Sequence, residues 1–168
     1  AEQTLGFMIG LQRNLYYTSR WLAKGKWVKN GGRQLSGCTV GIIGVGHIGQ
    51  ALVQLLAPFG CRILGCDSVD KTPYYAAHGI EAADFETVMR TADVVSLHVP
   101  LTVDTHHMIN ATTLAWMKPT AVLINTARGE VVDTAALQAA LMANQVAGAA
   151  LDVFESEPYH GGLANHPR

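Results

Sequence analysis

The chain is predicted to be an α/β protein built on a doubly wound parallel sheet, and two features of its sequence predict this. Short, continuous apolar runs alternate with amphipathic stretches along most of its length, and the first run ends in a glycine pattern that opens a helix. Strands apolar on both faces belong to a sheet covered on both sides, and crossover helices between parallel strands provide that cover.

Taken in order, Leu5, Met8, Leu11, Leu15 and Leu22 recur at helical spacing from Ala1 to about Lys24, so residues 1–24 read as one long helix with a buried stripe. GKWVKNGGRQLSG, residues 25–37, concentrates glycine and polar residues and reads as a loop. The main fold then occupies residues 38–158. Its strand candidates are TVGII, CRILGC, ADVVSLHV, AVLINT and VAGAALDV, beginning at Thr39, Cys61, Ala92, Ala121 and Val146. Its helix candidates are HIGQALVQLLAPFG, DFETVMRT, NATTLAWM and DTAALQAALMANQ. Asn110 and Asp133 stand where side-chain oxygens cap free helical N–H groups. Residues 159–168 form a tail.

Composition narrows the partners. The 168 residues are 49% hydrophobic and carry a formal charge of -1, with no long like-charge run, which argues against nucleic acid or a membrane surface and for a small molecule. Cys38, Cys61 and Cys66 form no C-x-x-C pair, as expected of a reducing cytoplasm. No long apolar run or leader-like pattern is present.

The glycine pattern carries the first chemistry. Gly44, Gly46 and Gly49 form G-x-G-x-x-G between a strand and a helix, where Gly44 permits the tight turn, Gly46 admits a pyrophosphate and Gly49 lets helix and strand pack. His47 and Ile48 offer their N–H groups to the phosphates. A glycine-rich turn that binds nothing explains the pattern alone, but Asp67 ends the next strand near the ~20-residue spacing at which an acid receives the adenosine ribose hydroxyls. Together they predict a Rossmann-type dinucleotide site. The carboxylate repels a 2'-phosphate and SVDK offers no arginine to receive one, so NAD is expected over NADP; Asp70 reads as an ordinary exposed loop acid.

Arg128 lies just past a buried strand's carboxyl end, the edge where open α/β sheets bind ligands. A guanidinium there holds a carboxylate bidentately and polarises a neighbouring carbonyl; a surface ion pair is the alternative. Asp152, Glu155 and Glu157 follow the last strand at the same edge, and Glu155 reads as solvated loop charge.

In combination, LSGCTVGIIGVGHIG, LHVPLTVDTHHMIN, MKPTAVLINTARGEVVDTAAL and GAALDVFESEP resemble the nucleotide-binding domain of the D-isomer-specific 2-hydroxyacid dehydrogenases, over nearly the whole chain. The resemblance implies hydride transfer between NAD(H) and C2 of a 2-hydroxy acid/2-oxo acid pair, with Arg128 on the substrate carboxylate and carbonyl and Glu157 paired with the catalytic histidine. It implies that Asp152 bonds the nicotinamide amide, Val99 and Pro100 border the adenine pocket, Thr105 meets the phosphates, and Thr126 and Ala127 lie against the nicotinamide. None of the seven histidines fits the acid/base role; that histidine is expected shortly beyond Arg168, leaving this chain inactive alone. The family's separate substrate-binding domain is also expected to be lacking, and a homodimer through the first helix is a family expectation. A non-catalytic NAD-sensing or interaction module of corepressor type is the alternative, which retention of both Arg128 and Glu157 disfavours.

Overall fold

A computed structural model describes residues 1–29 and 31–166. Six parallel strands form one sheet: β1 (Thr39–Ile43), β2 (Arg62–Cys66), β3 (Glu81–Ala82), β4 (Val94–Leu97), β5 (Val122–Asn125) and β6 (Gly148–Leu151). Their spatial order is β3-β2-β1-β4-β5-β6. The chain winds outward from β1 to β3, returns to place β4 on the other side of β1, then winds outward again. That reversal splits the connections above β1 and β4 and opens a crevice at their carboxyl ends.

The helices are α1 (Glu2–Gln12), α2 (Leu15–Ala23), α3 (His47–Leu56), α4 (Thr72–His78), α5 (Phe85–Thr91), α6 (Ala111–Leu114) and α7 (Thr134–Met142). Strand residues alternate between two apolar layers. Ile43, Val95, Leu97 and Leu123 pack with Val88, Leu114 and Leu137, while Val40, Ile42, Val94 and Ile124 pack with Met8, Leu52 and Leu56. Both sides of each central strand are therefore buried, which is why these strands read as unbroken apolar runs.

The expected helix over residues 1–24 is divided in two. Asn14 takes φ +55, and the Gln12 carbonyl at the end of α1 accepts the Arg33 N–H at 2.7 Å instead of continuing the helical ladder. Asparagine tolerates this left-handed backbone better than most residues. The buried face of α1 carries Thr4, Met8 and Gln12, whereas Leu15 and Leu22 of α2 are exposed, so the stripe ends at the break. The loop at 25–37 contains a 3-10 turn at Leu35–Gly37 that buries Leu35. Helix α4 and strand β3 lie outside the expected elements, because β3 is too short for any alternation and α4 is only seven residues long with Pro73 in its first turn. NATTLAWM forms only the single turn of α6. Both expected caps are present: Asn110 Oδ1 accepts the Thr112 and Thr113 N–H groups, and Asp133 Oδ1 accepts that of Ala136. The tail makes a 3-10 turn at Gly162–Asn165; Pro167 and Arg168 lie outside the described residues.

Asp93 fastens the opposite, amino edge of the sheet. It is buried, its Oδ2 accepts the Thr39 N–H at 2.9 Å, and its Oδ1 receives Arg33 Nη1 at 3.1 Å and Lys118 Nζ at 3.2 Å. Burial alone would push its pKa up, but the Thr39, Arg33 and Lys118 contacts outweigh that and hold it below the ordinary carboxylate range. A depressed folded-state pKa contributes stability above the unfolded value near ~3.9, lost as pH falls through the folded value. Asp93→Ala should cost about 2–4 kcal/mol at pH 7 by stranding its partners. Chemical denaturation should show the gap from wild type narrowing below about pH 4.

Candidate active site

The crevice is organised by the turn after β1. Gly44 has φ +90, donates its N–H to Cys66 O at 2.8 Å, and lies so close to β4 that a Cβ would stand 2.6 Å from His98 O. Only glycine takes this backbone without strain. A Cβ on Gly49 would stand 2.4 Å from Gly44 O, so the start of α3 rests directly on the turn. Gly46 differs from both: its φ of -81 suits any residue, and a Cβ there would meet nothing within 4 Å. The absence of a side chain at Gly46 therefore serves no internal contact and keeps the space in front of α3 clear. Gly46 is also the cap residue of α3 and supplies no side-chain hydrogen bond, so the N–H groups of His47 and Ile48 face this space, as the first N–H groups of a helix must.

Asp67 stands beside the turn. Its Oδ2 accepts the Val45 N–H at 2.7 Å and its Oδ1 accepts that of Val69 at 2.9 Å, tying the end of β2 to the glycine turn. Each oxygen keeps a lone pair, enough for two ribose hydroxyls. The open cradle at Gly46, the free helix terminus and this half-used carboxylate fit a dinucleotide. A cleft of about 320 Å³ continues from Asp67 past Val69, Lys71 and Thr72; Asp70 there accepts the Thr72 N–H at 2.9 Å. A larger hollow, about 730 Å³, is lined by Phe7, Tyr16, Leu137, Leu141, Leu151 and Phe154 and contains none of the expected site residues, so its size does not make it the cofactor site.

Across the crevice, Val99 packs beside Gly44, and Pro100 opens the following loop. The Thr105 hydroxyl donates to Pro100 O at 2.6 Å and accepts the Thr102 N–H at 2.8 Å, so it holds its own loop in shape. His98 has its Nε2 2.9 Å from Ser96 Oγ, and burial pushes its pKa down to about 4, leaving a neutral ring at physiological pH.

Asn125, fully buried at the end of β5, shapes the next turn. Its Oδ1 accepts the Ala127 N–H at 3.0 Å and its Nδ2 donates to Arg128 O at 2.9 Å, which accounts for the asparagine of N-x-x-R-G. Arg128 projects from that turn, exposed; Nη1 donates to Ala127 O at 2.7 Å, and among the described residues Arg128 makes no ion pair. Among the described residues, the surface ion pair that is its alternative role is not formed. Gly129 lies hard against the next loop, where a Cβ would meet the Phe154 carbonyl carbon at 2.0 Å. That loop carries Glu157, whose Oε1 accepts the Phe154 N–H at 3.0 Å. The turns bearing Arg128 and Glu157 thus touch backbone to backbone.

Several contacts lie beyond the sequence reading. Gln3 Nε2 donates to Asp152 Oδ1 at 2.6 Å and Thr4 Oγ1 stands 3.1 Å from Thr126 Oγ1, so the first turn of α1 lies over the carboxyl ends of β5 and β6. A threonine on the Met8 face of an otherwise apolar stripe was the available signal. Glu155, expected to be solvated loop charge, is exposed and is also paired with His107, and it accepts the Thr134 N–H at 3.1 Å. Burial raises its pKa, but the Thr134 and His107 contacts outweigh this and hold the carboxyl below its ordinary value.

Fold and site together define a dinucleotide-binding domain of the doubly wound class, carrying at its carboxyl edge an arginine that makes no ion pair among the described residues. The chain belongs to the D-isomer specific 2-hydroxyacid dehydrogenases, whose NAD binding domain matches residues 5–168. It is 41% identical over 169 residues to a glyoxylate reductase of Thermococcus litoralis, covering 95% of this chain and 51% of that protein. Among solved structures it resembles D-lactate dehydrogenase with NAD+ from Lactobacillus jensenii, with TM-score 0.87 and 37% identity over 93% of this chain and 48% of that one. A glyoxylate reductase from Paecilomyes thermophila superimposes with TM-score 0.89 and 34% identity, over 98% and 51% of the two chains. The chain spans about half the length of these relatives.

Proposed function

We propose that the chain is the cofactor-binding part of a reductase that moves hydride between NAD(H) and C2 of a 2-hydroxy acid/2-oxo acid pair. The observation that carries this reading is Arg128: a guanidinium that meets no carboxylate among the described residues, on a turn templated by buried Asn125 and packed against the loop of Glu157. NAD, when bound, supplies the hydride acceptor, and its reduced form the donor.

The chain's residues then have separate tasks. The N–H groups of His47 and Ile48, with the clearance at Gly46, receive the pyrophosphate, and Gly44 and Gly49 hold that turn; Asp67 receives the ribose hydroxyls and disfavours a 2'-phosphate. Val99 and Pro100 flank the adenine, with Thr105 shaping their loop. Thr126, Ala127 and Asp152 surround the nicotinamide; Gln3 occupies one Asp152 oxygen and leaves the other for the carboxamide. Arg128 binds the substrate carboxylate and stabilises charge on the C2 oxygen, in an arrangement where fixed donors act without reorganising. Glu157 steadies an imidazolium that gives its proton to that oxygen. We place this imidazole outside the described residues, as the resemblance to the family implies.

The relatives' greater length supports a separate substrate domain. The half-exposed Leu15, Tyr16 and Leu22 support either a homodimer through this part of the chain or a contact with that domain. Three free cysteines support a cytoplasmic setting, and among the described residues no helix is long and apolar enough to cross a membrane.

The protein extended to the length of its relatives should oxidise NADH with at least one of glyoxylate, hydroxypyruvate or pyruvate, followed by the loss of NADH absorbance. Tight NADH binding with no turnover of any 2-oxo acid would instead support the sensing module.

A further inference from the structure

His107 belongs to neither motif assigned to the chemistry, yet it touches the turns that present both. It sits on the loop between β4 and α6, where its N–H donates to Glu130 O at 2.8 Å, in the turn that follows Arg128. Its Nε2 meets Glu155 Oε1, on the loop that leads to Glu157, and the other Glu155 oxygen accepts the first N–H of α7, from Thr134. Asn110 Nδ2 donates to His107 O at 3.0 Å, so the residue is gripped through its N–H, its carbonyl and its ring. Its backbone is also unusual: φ is +48, a left-handed conformation that glycine adopts freely and that few other residues take, histidine being among those found there more often than most. A strained residue whose side chain bridges to a distant loop is held there for that side chain, because a smaller residue would satisfy the backbone better.

The bridge reaches Glu157 in short steps. Glu155 adjoins Phe154, and the Phe154 N–H holds Glu157 Oε1 at 3.0 Å. On the other side, the Phe154–Glu155 peptide lies against Gly129, next to Arg128. Without the His107 contact, this segment keeps the Gly129 packing and the Thr134 bond but loses the link that joins it to the β4–α6 loop.

We infer that His107, acting through Glu155, is a positioning residue that sets the Glu157 carboxylate against the Arg128 turn. The inference rests on the proposed reductase function for its kinetic consequence, and on the contacts alone for its structural one.

The test uses the relative-length protein with His107→Gly and His107→Gln. Glycine keeps the left-handed backbone and removes the ring; glutamine returns an N–H donor at similar reach. His107→Gly should lower kcat for 2-oxo acid reduction about tenfold, since small misplacements near the chemistry carry effects of this size or larger. The KM for the 2-oxo acid and the Kd for NADH should stay within about twofold, because neither is read by His107. Hydrogen exchange at the Phe154 amide should accelerate. His107→Gln should recover most of kcat and slow that exchange again. Glu155→Gln gives the same split should His107→Gly fold poorly. Wild-type kcat and unchanged Phe154 exchange in His107→Gly would overturn the inference, as would a glutamine variant no better than glycine. If the wild type itself turns over no 2-oxo acid, the functional proposal fails, and unchanged Phe154 exchange would still overturn the positioning contact.

Discussion

Gly46→Val should fold nearly as stably as the parent and lose NADH binding by more than about a hundredfold. The two halves of this expectation have different causes. Folding tolerates the change because φ at Gly46 is ordinary and the space around its Cβ direction is empty. Valine is a poorer helix cap than glycine, which costs about 1 kcal/mol, or about 2–4 °C in Tm for a domain of this size. Binding does not tolerate it, because the new methyl groups occupy the approach to the N–H groups of His47 and Ile48. Hydrogen bonds to charged groups contribute about 1.5–3 kcal/mol each, so losing two exceeds the ~2.7 kcal/mol that corresponds to a hundredfold. Gly44→Ala is the opposite case: φ +90 and His98 O only 2.6 Å from the Cβ direction make it a folding defect. Thermal melts and NADH titration of the two variants separate cradle from scaffold.

Arg128→Ala, in the protein of full relative length, should lower kcat/KM for 2-oxo acids by about 10²–10⁴-fold while the Kd for NADH stays within about twofold. The size follows from two charge-assisted hydrogen bonds to the substrate carboxylate plus stabilisation of the developing charge at C2 oxygen. The selectivity follows from the structure, since Arg128 makes no ion pair among the described residues and its turn is held by Asn125 and Gly129 instead. Arg128→Lys should recover only part of the loss, because a point charge replaces a planar fork. Steady-state kinetics beside a fluorescence titration provide the check, and an unchanged rate would remove Arg128 from the mechanism.

The features legible in the sequence are those that local chemistry specifies. Apolar runs marked the strands from β1 to β6 apart from the short β3, because burial on both faces demands apolar residues at successive positions. The glycine turn and Asp67 were legible as a spacing, and Asn110 and Asp133 as caps, because each acts within a few residues or at a defined interval. The rest depends on loops that meet in space. Leucine spacing runs through residues 1–24 without registering Asn14, since the break is imposed by the Gly32–Arg33 segment folding against the end of α1. Gln3 and Asp152 are 149 positions apart, and His107 and Glu155 are 48 apart. No periodicity connects such pairs. Asp67 shows the same limit at closer range: its spacing to the glycines points to a ribose, whereas its bonds to Val45 and Val69 also make it part of the turn's own scaffold.

The space bounded by Gly46, the start of α3 and Asp67 should act as an NAD cradle, and a paired titration tests this directly. Quenching of intrinsic tryptophan fluorescence, followed as NADH and then NADPH is added to the 168-residue chain, should show saturable binding of NADH at least about tenfold tighter than NADPH, from the carboxylate facing the 2'-position. Equal affinity for the two, or no saturable binding of NADH, would contradict it.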